Sequence, residues 1–419
     1  MPDNNKVAII GAGPAGLITA RELERSGLDI TVYEQRDCLG GTWAIQPLDG
    51  FHDLRRSIHD IHSAGYPSLR SNFPKELMAL PDQPFPDSLP LYPTASNILN
   101  HLQRFSDSNG LTAIIRFKHQ FIGIEKNISN SQRLWRLKTS QGDQGLFSAI
   151  VFCTGRYGCP ILPEIAGTDD FSGTIEHSLS YRGPDKYLGK RVALLGTGPS
   201  GEDLSREISL TASRVYVCAH KGSRQHYPVE KGLYGKGNSI SRHADIIGVN
   251  DNTVFLEDGS QLDNIDHLIL CTGYRTADSI LSALPGCKLS SNGMSATPLY
   301  LNLFHPLYPE LSITGVDVGS FPFILYFYQA RVIARYLARE INLPTEKQRI
   351  FAAKYVEIKQ SGRVSFNVRR KAALEQLRKL SVLANLSSPG SYLDNLAYRN
   401  ALHRMKYPDC YQDTPWDEF

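Results

Sequence analysis

Residues 6–16, KVAIIGAGPAG, run an apolar stretch straight into GxGxxG, and residues 191–201, RVALLGTGPSG, do the same a second time. The echo extends outward from both. A second apolar stretch follows each, Asp29–Glu34 (DITVYE) and Ser213–Ala219 (SRVYVCA), and each half later closes on a matching run, AIVFCTG at 149–155 and HLILCTG at 267–273. Strand, glycine turn, helix and strand, given twice, spell an α/β chain with two Rossmann-like dinucleotide-binding domains, the second inserted in the first.

The three glycines of such a turn have separate tasks. Gly11 makes the tight bend, Gly13 lets a diphosphate approach the backbone, and Gly16 lets the helix pack on the strand, with Pro14 and Ala15 at the helix start. The N–H groups of that first turn point at the anion. Eighteen residues beyond Gly16, the next strand ends in Glu34, the carboxylate expected on an adenosine ribose, with Gln35 beside it. In the second unit Gly196, Gly198, Pro199, Ser200 and Gly201 repeat the turn, and Glu202 and Asp203 enter the helix. Here the ribose acid is missing. The strand runs instead into His220-Lys221-Gly-Ser223-Arg224. A carboxylate there would repel a 2′-phosphate, whereas Lys221 and Arg224 attract one, so the second ligand reads as NADPH.

The 419 residues, 41% hydrophobic and 21% charged, suit two or three globular domains and exclude general disorder. The longest apolar run, Phe321 to Tyr328, is far too short for a membrane span, and the start shows no secretory signal, so cytoplasm is the expected compartment. Seven scattered cysteines without a CxxC argue against a disulfide scaffold and against a metal site. The net charge of +3 says little about partners, and no nucleic-acid partner is expected. The local surplus at 331–379, 13 Lys/Arg against 4 Asp/Glu, reads as solvated helix faces, with a surface that meets acidic lipid or nucleic acid as the alternative. A homodimer is left open.

The expected boundaries are 1–180 for the first part of the first domain, 181–275 for the second domain, and 276–419 for the return of the first domain and C-terminal helices. Phe171–Tyr187, rich in Gly, Ser and Asp, reads as a crossing linker. Residues 44–110, with many Pro, His and Tyr, read as an irregular functional insert lying across the first cofactor. A returning strand is expected within Glu310–Gly315, a helix over Phe327–Glu340, and an irregular tail beyond Pro389.

Four segments narrow the class. Leu39-Gly-Gly41-Thr42-Trp43 follows Glu34 closely, Ser71-Asn72-Phe-Pro-Lys75-Glu76 precedes a Phe85-Pro86 pair, Phe171-Ser-Gly173-Thr-Ile-Glu-His177-Ser-Leu-Ser-Tyr181 fits FxGxxxHxxx(Y/F), and Tyr328-Gln329-Ala330-Arg331 lies on the return. In this order, from residue 6 to about 340, the chain resembles the flavin-containing monooxygenases. The resemblance implies FAD as first cofactor, held also by Gly41, Thr42 and Trp43. It places Ser71 beside the nicotinamide, Gln329 near the flavin ring, and Asn72 between the cofactors as the catalytic residue. His177 would serve linker geometry. The Baeyer–Villiger relatives end the linker motif in Trp followed by Pro or Asp, where this chain has Tyr181-Arg182. His220-Lys221 departs from the family's usual Ser-Arg.

The implied activity is NADPH- and O2-dependent insertion of one oxygen into a soft nucleophile, an amine nitrogen or a sulfur, through a flavin C4a-hydroperoxide. The alternatives are Baeyer–Villiger or aromatic (indole) oxygenation by the same species and, remotely, a non-catalytic flavoprotein redox sensor. A disulfide reductase needs a cysteine pair at the flavin. Cys38 stands alone, and Cys153 and Cys271 sit in apolar strands.

Overall fold

The computed structural model describes residues 5–50, 52–55, 61–80, 82–129, 132–220, 232–275, 280, 282–289, 296–315, 321–359, 366–408 and 410–416. The chain divides into two compact units. One comprises Met1–Ala44, Arg70–Arg156 and Arg275–Leu402, and the other Ile45–Leu69, Tyr157–Tyr274 and His403–Phe419.

In the first unit a five-stranded sheet runs in the order Leu311–Ile313, Ala149–Phe152, Lys6–Ile10, Asp29–Tyr33, Ile115–Arg116, every pair parallel. Strands buried on both faces read as unbroken apolar runs, which is why VAII and AIVF stand out in the sequence. On one face Trp135, Leu137 and Phe147, from an antiparallel three-stranded sheet (Phe121–Ser129, Gln132–Thr139, Gly142–Phe147), share a core with Ile10, Phe152 and Ile313. Helix Pro14–Arg25 packs against helix Pro322–Leu337. The latter begins five residues before the expected Phe327, because Pro322 at its first position suits a helix start and the first turns are apolar on nearly every side.

Two further helices escape the sequence reading. Ala95–Ser108 is capped by Thr94, whose Oγ1 accepts the Asn97 N–H (3.2 Å) while Asn97 Oδ1 accepts the Thr94 N–H (3.1 Å). Ser391–Lys406 replaces the irregular tail expected beyond Pro389. Part of the basic surplus is answered by protein partners. Arg335 pairs with Glu340, Arg370 with Asp394 and Lys379 with Glu375, and Arg349 donates to the carbonyls of Pro306 and Pro344. Among the described residues no helix is long and apolar enough to cross a membrane.

The second unit repeats the plan. Its parallel sheet runs Ile240–His243, Arg214–Cys218, Arg191–Leu195, His267–Leu270, Thr174–His177. Its helix is Pro199–Ile208, and a small antiparallel sheet spans Ile246–Leu262. This unit is wider than the expected 181–275. The supposed linker contributes the edge strand Thr174–His177, in register with His267–Leu270. Residues 45–69 belong here too, tied by Arg182 to the carbonyls of Gln46 (2.7 Å) and Ser63 (3.0 Å) and by Arg55 to those of Phe171 (2.8 Å) and Gly173 (2.9 Å). The expected single insert at 44–110 is therefore two segments, one in each unit.

Candidate active site

The first glycine turn is built from the protein's own backbone. Gly11 donates its N–H to Tyr33 O (2.7 Å) at φ +107°, and an added Cβ would stand 2.5 Å from Cys153 O. A Cβ on Gly16 would overlap the Gly11 carbonyl oxygen. Gly13 differs. Its backbone is extended (φ −76°, ψ −176°) and a Cβ would meet Gly41 Cα at 3.4 Å and Gly41 N at 3.8 Å, ordinary contacts. Packing demands glycine at 11 and 16 but not at 13, which lies ahead of a helix whose first N–H groups lack intrahelical acceptors.

Glu34 is buried, its Oε2 accepting the Ala12 N–H (2.7 Å) and its Oε1 that of Arg36 (2.9 Å). Burial pushes its carboxyl above the ordinary range, against the pull of those two donors. Gln35 beside it is exposed. The Gly-Gly loop is drawn to this turn by Gly40 N to Ala12 O (2.9 Å). It is fastened by the Arg36 guanidinium, which donates to the carbonyls of Gly41 (3.3 Å) and Ala44 (2.5 Å). Arg36 was not singled out in the sequence, and its only signal is a base two residues past the strand-end acid. Thr42 and Trp43 are half-buried, so Trp43 is not a closed core aromatic.

Segment 70–76 lies against 91–94 in the same unit. Ser71 N donates to Pro93 O (2.8 Å), Lys75 N to Leu91 O (2.7 Å), and Ser71 Oγ accepts the Phe73 N–H (3.0 Å). Lys75 Nζ gathers the carbonyls of Pro86 (3.2 Å), Asp87 (2.9 Å) and Leu89 (2.9 Å), fixing the turn after the Phe85-Pro86 pair. Asn72 is half-buried between these anchors. Gln329 is buried, and its Oε1 accepts the Gly315 N–H (3.2 Å) at the end of the returning strand. A Cβ on Gly315 would press on Ala15 Cβ at 2.7 Å, so Gln329 acts on the glycine turn through Gly315.

The second turn copies the first. Gly196 sits at φ +114°, donates to Cys218 O (2.8 Å), and would place a Cβ 2.5 Å from Cys271 O. A Cβ on Gly201 would overlap the Gly196 carbonyl oxygen, while Gly198 has nothing within 4 Å. Gly198 and Pro199 are exposed and Ser200 is half-buried. Glu202 and Asp203, expected at the cofactor, also have protein partners. Asp203 pairs with Arg206, and Glu202 Oε2 lies 3.9 Å from Arg404. Burial pushes the Glu202 carboxyl up to about 7, against the pull of Arg404. Lys221, Ser223 and Arg224 lie outside the described residues.

The FxGxxxH motif is a local brace. A Cβ on Gly173 would stand 2.6 Å from both Asp266 O and the buried Phe171 ring. His177 is buried, its Nδ1 accepting the Leu179 N–H (3.1 Å) and its ring edge-on to Tyr274, and burial brings its pKa down to about 4. A neutral, enclosed imidazole with an occupied nitrogen is a strut. The cysteines give no redox pair. None of the seven is in a disulfide, and burial pushes the thiols of Cys153 and Cys271 up to about 12.

Two parallel-sheet units, each with a glycine turn that leaves one glycine open to a ligand, define a two-dinucleotide oxidoreductase without a dithiol. Residues 4–234 match the family model described as flavin-binding monooxygenase-like. The flavin-containing monooxygenase FMO GS-OX-like 6 of Arabidopsis thaliana is 33% identical over 86% of this chain and 78% of its own length. FMO GS-OX-like 4 of the same plant is 28% identical over 99% and 95%. The structure of S-allyl-L-cysteine S-oxygenase from Allium sativum superposes with a TM-score of 0.85 at 27% identity, covering 98% of this chain and 95% of that one. The chain belongs to the flavin-containing monooxygenase family, whose members use FAD and NADPH.

Proposed function

We propose that this protein is an S-oxygenase: a small thioether, O2, NADPH and a proton become the sulfoxide, NADP+ and water. The observation that carries this reading is the likeness, over nearly the whole of both chains, to a structure named for S-oxygenation of an allyl-cysteine. Curated relatives that carry the GS-OX name stand beside it. Bound FAD, reduced by NADPH, supplies the oxygen-activating chemistry.

The protein's part is to bind, orient and exclude water. In this reading the first unit holds FAD. Gly11, Gly13, Pro14, Ala15 and Gly16 cradle its diphosphate, Glu34 with Gln35 takes the ribose, and Gly41, Thr42 and Trp43 cover it, while Gln329 steadies Gly315 against the turn. The second unit holds NADPH, with Gly196, Gly198, Pro199, Ser200 and Gly201 at the diphosphate and Lys221 and Arg224 at the 2′-phosphate. Glu202 and Asp203 shape the start of the helix. Ser71 meets the nicotinamide side. Asn72 is the catalytic residue, because an amide both donates and accepts and so serves a reacting oxygen without carrying charge.

Aerobic NADPH oxidation with a panel of thioethers, amines and ketones tests the reading, with products identified by mass. A sulfoxide formed in step with NADPH consumption is the expected result. N-oxide or ester products with no sulfoxide overturn it.

A further inference from the structure

We propose that Asn400, on helix Ser391–Lys406, is a positioning residue for Asn72, an inference that rests on the catalytic reading of Asn72. Asn400 lies beyond residues 4–234, the part matched by the family model. Its side chain is buried and fully directed. The Tyr92 hydroxyl donates to Oδ1 (2.8 Å), and Nδ2 donates to the backbone carbonyl of Asn72 (3.1 Å). A carbonyl only accepts, so the Asn72 contact fixes which end of the amide faces it.

The neighbouring chain is anchored on either side of Asn72. Segment 70–76 is bonded to 91–94 through Ser71 N and Lys75 N, with an antiparallel bridge at Arg70 and Thr94. Between the two anchors Phe73 N is taken by Ser71 Oγ, and Pro74 has no N–H. Asn400 supplies a donor to the Asn72 peptide, and the wholly buried Tyr92 orients Asn400. Helix Ser391–Lys406 thereby sets the peptide plane from which the Asn72 side chain departs.

Asn400→Asp keeps the shape and, read at a pH where the carboxyl is ionised, removes the donor. In the FAD-loaded enzyme, amide hydrogen exchange read by mass spectrometry on peptides covering 70–76 is expected to accelerate roughly tenfold. FAD content and the rate of flavin reduction by NADPH stay as in the parent, while a severalfold larger share of the electrons appears as hydrogen peroxide. Tyr92→Phe, which keeps the amide and loses only the hydroxyl that orients it, is expected to show the same pattern more weakly, and it carries the test if Asn400→Asp does not fold. Adding Asn400→Asp to Asn72→Ala gives no peroxide beyond Asn72→Ala alone. Unchanged exchange at 70–76, or faster exchange with coupling intact while Asn72→Ala uncouples, overturns the positioning role. If Asn72→Ala itself stays coupled, the fault lies with the reading of Asn72, and the exchange data still report whether Asn400 holds that peptide.

Discussion

Two glycines three residues apart, Gly198 and Gly201, are predicted to fail in opposite ways when each becomes alanine. A methyl on Gly201 overlaps the Gly196 carbonyl oxygen, has the Gly196 carbonyl carbon at 2.9 Å, and meets Cys271 Cβ at 3.6 Å. All but the last are backbone atoms of the strand-to-helix turn. Relief therefore requires helix Pro199–Ile208 to shift bodily off its sheet, uncovering Leu204 and Ile208. Overpacking of this kind costs about 1–3 kcal/mol, and an unyielding backbone neighbour puts it at the upper end. Gly198 has an extended backbone (φ −72°, ψ −177°) open to any residue, and nothing lies within 4 Å of its Cβ position. Alanine there leaves folding untouched, or adds about 0.4–1 kcal/mol by restricting the unfolded chain. Its methyl intrudes only on a ligand. Urea unfolding of the ligand-free protein and anaerobic flavin reduction across a range of NADPH concentrations separate the two. The expected result is a lowered unfolding midpoint for Gly201→Ala. For Gly198→Ala it is an unchanged or raised midpoint with a tenfold or larger loss of apparent NADPH affinity. Parent-like NADPH affinity in Gly198→Ala would refute the division between packing glycines and ligand glycines.

Asn72→Ala should retain FAD and reduce at close to the parental rate while NADPH consumption separates from product. Loss of roughly 2–3 kcal/mol of stabilisation at the reacting oxygen predicts at least a thirtyfold fall in coupled turnover, and parental coupling in a peroxide assay rules the role out. Glu202, displaced from an ordinary 4.5 to about 7, holds its proton in the folded state after the unfolded chain has released it. Stability should therefore fall by roughly 3 kcal/mol as pH rises from about 4.5 to about 7 and level off above. Glu202→Gln removes that descent, and superimposable urea midpoints of the two proteins from pH 5 to 8 would contradict it. Replacing Lys221 and Arg224 together by Ala should raise the NADPH requirement by tenfold or more and leave NADH use unchanged, since each charged contact to phosphate is worth about 1–3 kcal/mol. Equal losses with both coenzymes would remove these residues from the 2′-phosphate.

What was legible beforehand was legible because its cause is local. Gly11, Gly16, Gly196 and Gly201 are dictated by atoms close to them in the turn and in one neighbouring strand, so the same spelling appears wherever that turn is made. Glu34 and the returning strand Leu311–Ile313 stand where the pattern put them, at strand ends whose both-face burial writes an apolar run into the sequence. The FxGxxxH segment was identifiable as a motif, yet its strand was not. Thr-Ile-Glu-His is no apolar run, and Glu176 is buried with Lys186 Nζ (2.7 Å), the Tyr187 hydroxyl (3.0 Å) and the His52 N–H (3.3 Å) as its donors.

The sequence by itself determined the two dinucleotide turns, their order and the family, since a tight bend and a close helix–strand contact restrict residue type at fixed spacing. Only the tertiary structure decided where 45–69 and 157–180 belong. Arg55 and Arg182 choose their partners among backbone carbonyls more than a hundred residues away, and a carbonyl is the same at every position. The same holds for the C-terminal helix. Its apolar stripe is weak, and the contact that carries the proposal is a single amide, Asn400, meeting a carbonyl 328 positions earlier. No periodicity announces such a contact, because it exists only once the chain has folded back on itself.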